Sequence, residues 1–275
     1  MKKFIVQSLL FLKILPFIAI FSYPIIWLFY STFKTKREMF KPMQLRPKEY
    51  KTDTWEFFFS EAFSKDFAFW DFWSNSMLIA VGQATLAVII SAAAAYFFVF
   101  KKFRGRYLLF ILAVSLILIP KQIMVFPLRE LIFKFGIYDN LWSVILPGAL
   151  SGIGILYFIQ IYKSLPKDYV DLARIEGASE FRAFVTTIPL LSSAFLCCFM
   201  IHFLLAWQQH LIPLQLLHDN QTLPVAMSSI PGTFPRSVNT TALLLICAVF
   251  CIVPCIILFL ATYRKFRSAL SSHIV

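Results

Sequence analysis

Charge is scarce in this 275-residue sequence. Only 15% of its residues are Asp, Glu, Lys or Arg, against about a quarter in a soluble domain. That shortage disfavours an ordinary cytosolic enzyme. Intrinsic disorder is excluded, because 59% of the residues are hydrophobic. Glycine is scarce too. None of the eight (Gly82, Gly105, Gly136, Gly148, Gly152, Gly154, Gly177 and Gly232) is followed by Lys, so there is no Walker A loop and no ATP binding by that route. There is no HExxH helix. The GALSG run around Ser151 lacks the glycine two places before the serine that an intramembrane serine protease would need; Gly148 and Gly152, four apart, read instead as a site of close helix approach. No CxxC pair exists. Cys197, Cys198, Cys247, Cys251 and Cys255 all fall in apolar segments, where a thiol serves as a small apolar residue. Neither a catalytic residue nor a metal site is expected.

What is present is apolar length. Phe alone supplies 32 positions, and mean hydropathy is +0.75. A bilayer core of about 30 Å needs about 20 helical residues. Six stretches approach that demand: 9–33, 77–100, 107–128, 140–162, 185–207 and 238–262. The third contains Pro120 and Lys121 and is expected to end there, where a lysine can reach the interface. The net charge of +12 reads as membrane topology rather than nucleic-acid binding, because the basic residues sit between apolar blocks and at the chain ends. Lys2, Lys3 and Lys13, the 101–106 segment, the 163–182 segment and Arg264, Lys265 and Arg267 would lie inside if the N-terminus is cytoplasmic. Lys121, Arg129, Lys134 and Arg236 would lie outside. With six spans both termini are cytoplasmic. The N-terminal run is basic and then apolar, but no small-x-small cleavage site follows, so it reads as an uncleaved first span. The stretch 34–72 is the only loop large enough for a small extramembrane element, and Pro42 and Pro47 suggest an irregular start. It carries eight basic and seven acidic residues, against the orientation that the other loops favour. His202 reads as a helix-facing hydrogen-bond partner, and His210 and His218 as residues of the outer loop or its rim.

One cytoplasmic loop is more than a connector. From Lys163 to Leu191 its charge is balanced, with Lys167, Arg174 and Arg182 against Asp168, Asp171, Glu176 and Glu180. Ser164 is a fair N-cap with Pro166 in the first turn. Tyr169, Leu172, Ala173 and Glu176 follow at helical steps. Gly177 should end that helix in the left-handed conformation. Ser179 can cap a second helix, with Phe181 and Phe184 expected on one face. The product is a helix–Gly–helix elbow that another protein's cleft can hold.

The run DLARIEGASEFRAF resembles the EAA loop of permease subunits in binding-protein-dependent ABC importers, whose pattern reads EAAxxDGAxxxxxF and then a proline. Asp171 stands for the glutamate, Leu172 and Ala173 for the alanines, and Glu176 for the aspartate. Gly177, Ala178 and Phe184 match; Pro189 comes one residue early. The resemblance extends to NSMLIAVGQATLAVIISAAAAYFFVFKKFRGR from Asn75, GIYDNLWSVILP from Gly136 and WQQHLIPLQLLHDNQTLPVAM from Trp207. The sequence looks most like maltose-, multiple-sugar- and glycerol-3-phosphate-type permeases, although it ends YRKFRSALSSHIV where the family has a glycine-rich tail.

This resemblance implies an all-α integral membrane protein with six transmembrane helices, like a type I ABC importer permease. Residues 1–275 form one permease domain, with 34–72 an extracytoplasmic loop and 163–184 the cytoplasmic coupling loop. It implies a bacterial inner-membrane location, a second permease subunit, two ATP-binding subunits and an extracytoplasmic solute-binding protein, with membrane lipid around them and no nucleic acid. No cofactor is expected on the chain itself; ATP and Mg would act through the partners. Asp171, Ala173, Glu176, Gly177, Ala178 and Phe184 would form the coupling surface, with Asp171 paired to a basic residue of the ATPase. Spans three to five should line the solute pathway. Gln122, Gln160, Ser192, Ser193, His202, Gln208 and Gln209 are its polar candidates, and Trp207 is a sugar-stacking surface. Two other readings are an integral-membrane enzyme with its site in spans four and five, and a transport-inactive scaffold that kept the elbow.

Overall fold

The computed structural model describes residues 2–272 apart from 40, 42, 43 and 236, with side chains over 13–263 apart from those and 121–122. The expectations placed on Pro42, Arg236 and the side chains of Lys2, Lys3, Lys121, Gln122, Arg264, Lys265 and Arg267 therefore lie outside the described residues. All the regular secondary structure of the described residues is helical. In order the helices are α1 (Lys2–Ser31), α2 (Lys36–Met39), α3 (Asp53–Phe58), α4 (Glu61–Asp66), α5 (Phe69–Phe100), α6 (Arg106–Leu118), α7 (Lys121–Lys134) and α8 (Trp142–Ala149). Then come α9 (Gly152–Ser164), α10 (Asp168–Ile175), α11 (Glu180–Leu190), α12 (Ser192–Trp207), α13 (Leu211–Leu216), α14 (Leu223–Ala226), α15 (Ile230–Thr233) and α16 (Thr240–Ser272).

Three stretches are single apolar helices long enough to span: Lys13–Ser31, Phe69–Phe100 and Thr240–Tyr263. Three more candidates are bent pairs, giving up to six spans. The third breaks at Ile119–Pro120 between α6 and α7, because proline lacks an N–H and restricts the residue before it. The fourth bends by 44° between α8 and α9, where Ser151 caps α9 by accepting from Gly154 N at 3.1 Å. The fifth expectation needs correcting. Residues 185–207 are not one helix: α11 and α12 meet at 85°, so this candidate span is a bent pair broken at Leu191. The second span also begins earlier than expected, at Phe69 rather than Met77.

The chain divides into two compact units. The first comprises residues up to Ala68 and Met227–Pro254. Its centre is aromatic. Phe58 stacks on Phe250 at 5.3 Å and Phe63 on Phe234 at 5.5 Å, and Trp55 Nε1 donates to Thr32 Oγ1 at 3.1 Å. Lys34 is buried, and its Nζ donates to the Gln44 carbonyl at 2.6 Å. Glu38 accepts from Lys48 N at 2.8 Å and Thr35 N at 3.1 Å. Those backbone hydrogen bonds, Lys48's first, hold its carboxyl below the usual range against partial burial. The loop after the first span is thus a folded element containing α2, α3 and α4.

The second unit comprises Phe69–Ala226 and the chain from Cys255. Its axis is α5, against which α8, α9 and α12 pack. Small residues make the contact possible: Ala80, Ala84, Ala87, Ala92 and Ala95 are fully buried along α5. The expected close approach at Gly148 and Gly152 is present. A Cβ at Gly152 would stand 2.5 Å from the Ala113 carbonyl, and one at Gly148 would strike the Gln83 amide. Asp139 (φ 56°) ties the α7–α8 connection to the loop after α13. Its carboxylate accepts from His218 N at 2.8 Å and from Asp219 N and Asn220 N at 3.2 Å.

The two glycine contacts differ in kind. The Gln83 side chain can turn away, whereas the Ala113 carbonyl belongs to the α6 backbone and cannot. Gly152→Ala should therefore destabilise the protein by about 1–3 kcal/mol through overpacking. Gly232→Ala, where nothing lies within 4 Å of the new methyl, should change the detergent-solubilised melting temperature little. Equal melting temperatures for the two variants would contradict this.

Candidate functional site

The elbow lies in the second unit and is built from α10, Gly177 and α11. Ser164 does not cap α10. It is the last residue of α9, and its hydroxyl donates back to Ile161 O at 2.7 Å. Lys167 occupies the N-cap position without a side-chain bond, while Asp168 and Asp171 put negative charge in the first turn, where the helix dipole favours it. At the other end the Gly177 N–H donates to Arg174 O and the Ala178 N–H to Ala173 O, each at 3.0 Å. This pair of bonds is a Schellman motif, and Gly177 has the φ of +82° that it demands. Ser179 then caps α11 by accepting from Arg182 N at 3.4 Å.

The elbow has an inner and an outer surface. Val170, Ala183 and Phe184 are buried in the main apolar cluster, with Ala173 packed against it. The Phe184 ring meets Tyr96 edge-on at 5.7 Å. Outward, Tyr169, Leu172, Ile175 and Phe181 are 53%, 57%, 81% and 73% exposed, and Asp171, Glu176 and Gly177 are exposed beside them. Phe181 and Phe184 thus face opposite environments, contrary to the shared face expected of their spacing. Phe184 anchors the elbow to α5.

A charge cluster, missed in the sequence, reinforces that anchor. Glu180 Oε1 lies 2.6 Å from Lys101 Nζ and 3.2 Å from Arg174 Nε. Its Oε2 accepts from Arg174 Nη2 and from the buried Tyr96 hydroxyl, both at 3.3 Å. Arg174 also binds Asp171 at 2.8 Å. Lys101 first, and then Arg174, hold the Glu180 carboxyl below its usual range against partial burial. Asp171 is therefore already paired within its own helix, and any basic residue of a partner would share or replace Arg174.

The pathway candidates do not form one group. His202 is buried on α12; its Nε2 lies 2.7 Å from Ser151 Oγ and its Nδ1 2.9 Å from Cys198 O. A carbonyl only accepts, so Nδ1 carries a proton, and in the neutral ring Nε2 then accepts from the Ser151 hydroxyl. His202 lines a cavity of about 360 Å³ with Ser151, Gln83, Gln209, Ile117 and Pro120, at the breaks of the third and fourth spans. Gln209 Nε2 donates to Gln83 Oε1 at 3.3 Å, while the buried Gln209 Oε1 has no hydrogen-bond partner among the described residues. Gln208 lines a different hollow with Val125 and His210. Gln160 lines a third, near the elbow. Ser192 is exposed at the start of α12, about 15 Å along the helix from His202. The partly buried Ser193 begins the same turn. Trp207 is 8% exposed; it stacks on Phe203 at 5.8 Å and meets Trp73 edge-on at 6.3 Å, so it is packed within its own subunit. Gln83 and Ser151 were not expected here.

A family model described as "binding-protein-dependent transport system inner membrane component" matches residues 86–271. The chain is 28% identical over 263 residues to the arabinooligosaccharides transport system permease protein AraQ of Halalkalibacterium halodurans, covering 94% of this chain and 91% of that one. It is 27% identical over 201 residues to the sn-glycerol-3-phosphate transport system permease protein UgpE of Escherichia coli, covering 72% and 71%. Among solved structures, a chain of a bacterial ABC transporter involved in import of the acidic polysaccharide alginate matches with a TM-score of 0.76 at 17% identity, covering 96% of this chain and 97% of that one. That last likeness concerns the fold.

Proposed function

This chain belongs to the family of binding-protein-dependent transport system inner membrane components, and from that premise we propose that it carries a sugar or sugar-derived solute through a pathway built on its broken third to fifth spans. It is a multi-pass inner-membrane permease subunit of an ABC importer, a transport component and not itself an enzyme. The solute class follows the names of its relatives, whose cargoes are arabinooligosaccharides and sn-glycerol-3-phosphate. Residues 1–275 work as one permease domain with both termini cytoplasmic. Beside it sit a second permease subunit and two ATP-binding subunits, and a solute-binding protein delivers cargo from outside. ATP and Mg act in those partners.

The observation that carries the coupling role is the two-sided elbow. Its outer surface offers apolar and charged groups to a partner, and its inner surface is fastened to the helix that runs through the second unit. A partner whose clefts hold the elbow differently with and without ATP can then move α5 and α11 as rigid pieces, which biases the permease between two states. The test is ATP hydrolysis by the complex in proteoliposomes. Stimulation by binding protein plus solute is expected. An assembled complex whose hydrolysis ignores both would favour the transport-inactive scaffold.

The cavity at His202 supports a passing contact with a hydroxylated solute. Gln209 Oε1, without a partner among the described residues, is an acceptor for a hydroxyl, and the Gln83–Gln209 pair and Ser151 supply further polar atoms. Gln209→Leu should raise the solute concentration for half-maximal uptake about two- to tenfold, the worth of one hydrogen bond, with complex assembly unchanged. Unaltered uptake kinetics would place the pathway elsewhere.

A further inference from the structure

A second cavity, of about 630 Å³, opens at the elbow end of the second unit. It lies among the end of α5, the start of α6 and the last turns of α9. Among the described residues its polar lining is Arg106, Tyr107, Gln160 and Lys163, with no acidic residue. Neither Arg106 nor Lys163 is in an ion pair among the described residues. Its other walls include Phe98, Phe110 and Leu156. Charge and hydrophobicity are layered here. Arg106 is the first residue of α6 and Lys163 the penultimate residue of α9. Phe110 lies one turn further along α6, and Leu156 two turns back along α9, about 10 Å from Lys163 along the axis. The start of α6 adds a third feature, because Gly105 at its N-cap provides no side-chain acceptor for the first-turn N–H groups.

We propose that this cavity binds an anionic phospholipid of the elbow-side leaflet, its phosphate between Arg106 and Lys163 and one acyl chain along Phe98, Phe110 and Leu156. Two exposed cations at the rim, in no ion pair among the described residues, are complementary to an anion. The apolar wall below them needs a chain, which free phosphate lacks. Basic pockets between membrane helices recognise lipid headgroups by this combination. Lys163 lies five residues before the first residue of α10, and Lys101, which holds Glu180, follows α5 directly. The lipid therefore braces the two chain segments that fasten the elbow. The proposal rests on the spanning arrangement given above, but not on which solute is carried.

The test uses the purified transporter complex, titrated with phosphatidylglycerol and read by native mass spectrometry. Phosphatidylcholine and inorganic phosphate serve as comparisons. The unaltered complex should bind phosphatidylglycerol in preference to phosphatidylcholine, and inorganic phosphate should not displace it. R106Q/K163Q should weaken phosphatidylglycerol binding about thirtyfold, the loss expected for two basic side chains at a membrane surface. K102Q/R104Q removes the same charge from the neighbouring loop outside the cavity and should cost less than about threefold. Equal losses in the two variants would overturn the proposal in favour of diffuse surface attraction. Displacement by inorganic phosphate would overturn the lipid in favour of a simple anion. Absence of preferential binding in the unaltered complex, with transport intact, would refute the lipid site and leave the permease assignment standing.

Discussion

Gly177→Val should cut solute uptake by the assembled transporter at least tenfold while leaving the transmembrane body folded. The reason is conformational rather than steric. Gly177 holds φ +82°, and nothing lies within 4 Å of where its Cβ would stand, so a side chain meets only the torsional cost. That cost is about 1–3 kcal/mol for a residue forced into the left-handed region, at the upper end for a β-branched one. The chain escapes it by giving up the Gly177-to-Arg174 and Ala178-to-Ala173 hydrogen bonds, and the angle between α10 and α11 goes with them. An equilibrium shifted by about 1–3 kcal/mol changes by a factor of about five to over a hundred, enough to empty the docked state of the elbow. A graded series separates this from general damage. Asparagine, which tolerates the left-handed region, should retain most uptake, alanine should be intermediate and valine worst. Melting temperatures of the solubilised complex should vary much less than uptake across the series. If valine transports as well as glycine, the elbow does not transmit force through this bend.

What the sequence discloses of the elbow is what local chemistry alone decides. Gly177 and Ser179 are legible because a left-handed stop and a hydroxyl cap have residue signatures that no distant partner is needed to create. Ser164 misleads, since the same hydroxyl can cap a new helix or bond back to its own, and here it bonds back to Ile161 O. The run 185–207 conceals the 85° turn at Leu191 because hydropathy carries length but no direction. Phe181 and Phe184 are three residues apart, yet which one is buried depends on packing against distant residues, among them Tyr96, 88 residues before Phe184. The pairing of Gln83 with Gln209 spans 126 residues of chain, and nothing around either residue announces it. Glu180 is the largest omission. In the sequence it is one of four acids balancing a loop; in the fold, Lys101 and Arg174 make it the point where three segments meet.

Glu180→Gln should therefore loosen coupling more than it lowers stability. The carboxylate joins Lys101 after α5, Arg174 on α10 and the Tyr96 hydroxyl on α5 to the first turn of α11. Glutamine keeps the shape but loses the charge that draws two cations together. Side-chain exposures of 37% for Lys101 and 34% for Glu180 mean that water replaces part of what is lost, so each ion pair contributes no more than about 1 kcal/mol. The whole-protein loss should stay near 1–2 kcal/mol, roughly the worth of hydrogen bonds to a charged group after that discount. Uptake should fall several-fold while hydrolysis without solute rises, since the partner can then move an elbow no longer clamped to α5. A double-mutant cycle with Lys101→Met should show the two changes to be non-additive by at least about 0.5 kcal/mol, as expected of residues in contact. The pH dependence follows from the sign of the shift. The Glu180 carboxyl is held below its usual range, so its stabilisation is complete above the ordinary glutamate value of about 4.3. It is lost only as pH falls through the lower folded value. Coupling in the unaltered protein should thus be insensitive to Glu180 protonation from about pH 8 to pH 5. Glu180→Gln should shift the whole profile downward without changing its shape in that window. A new pH step in the variant, or strict additivity with Lys101→Met, would show that the elbow is held to the membrane body by Phe184 and its apolar neighbours alone.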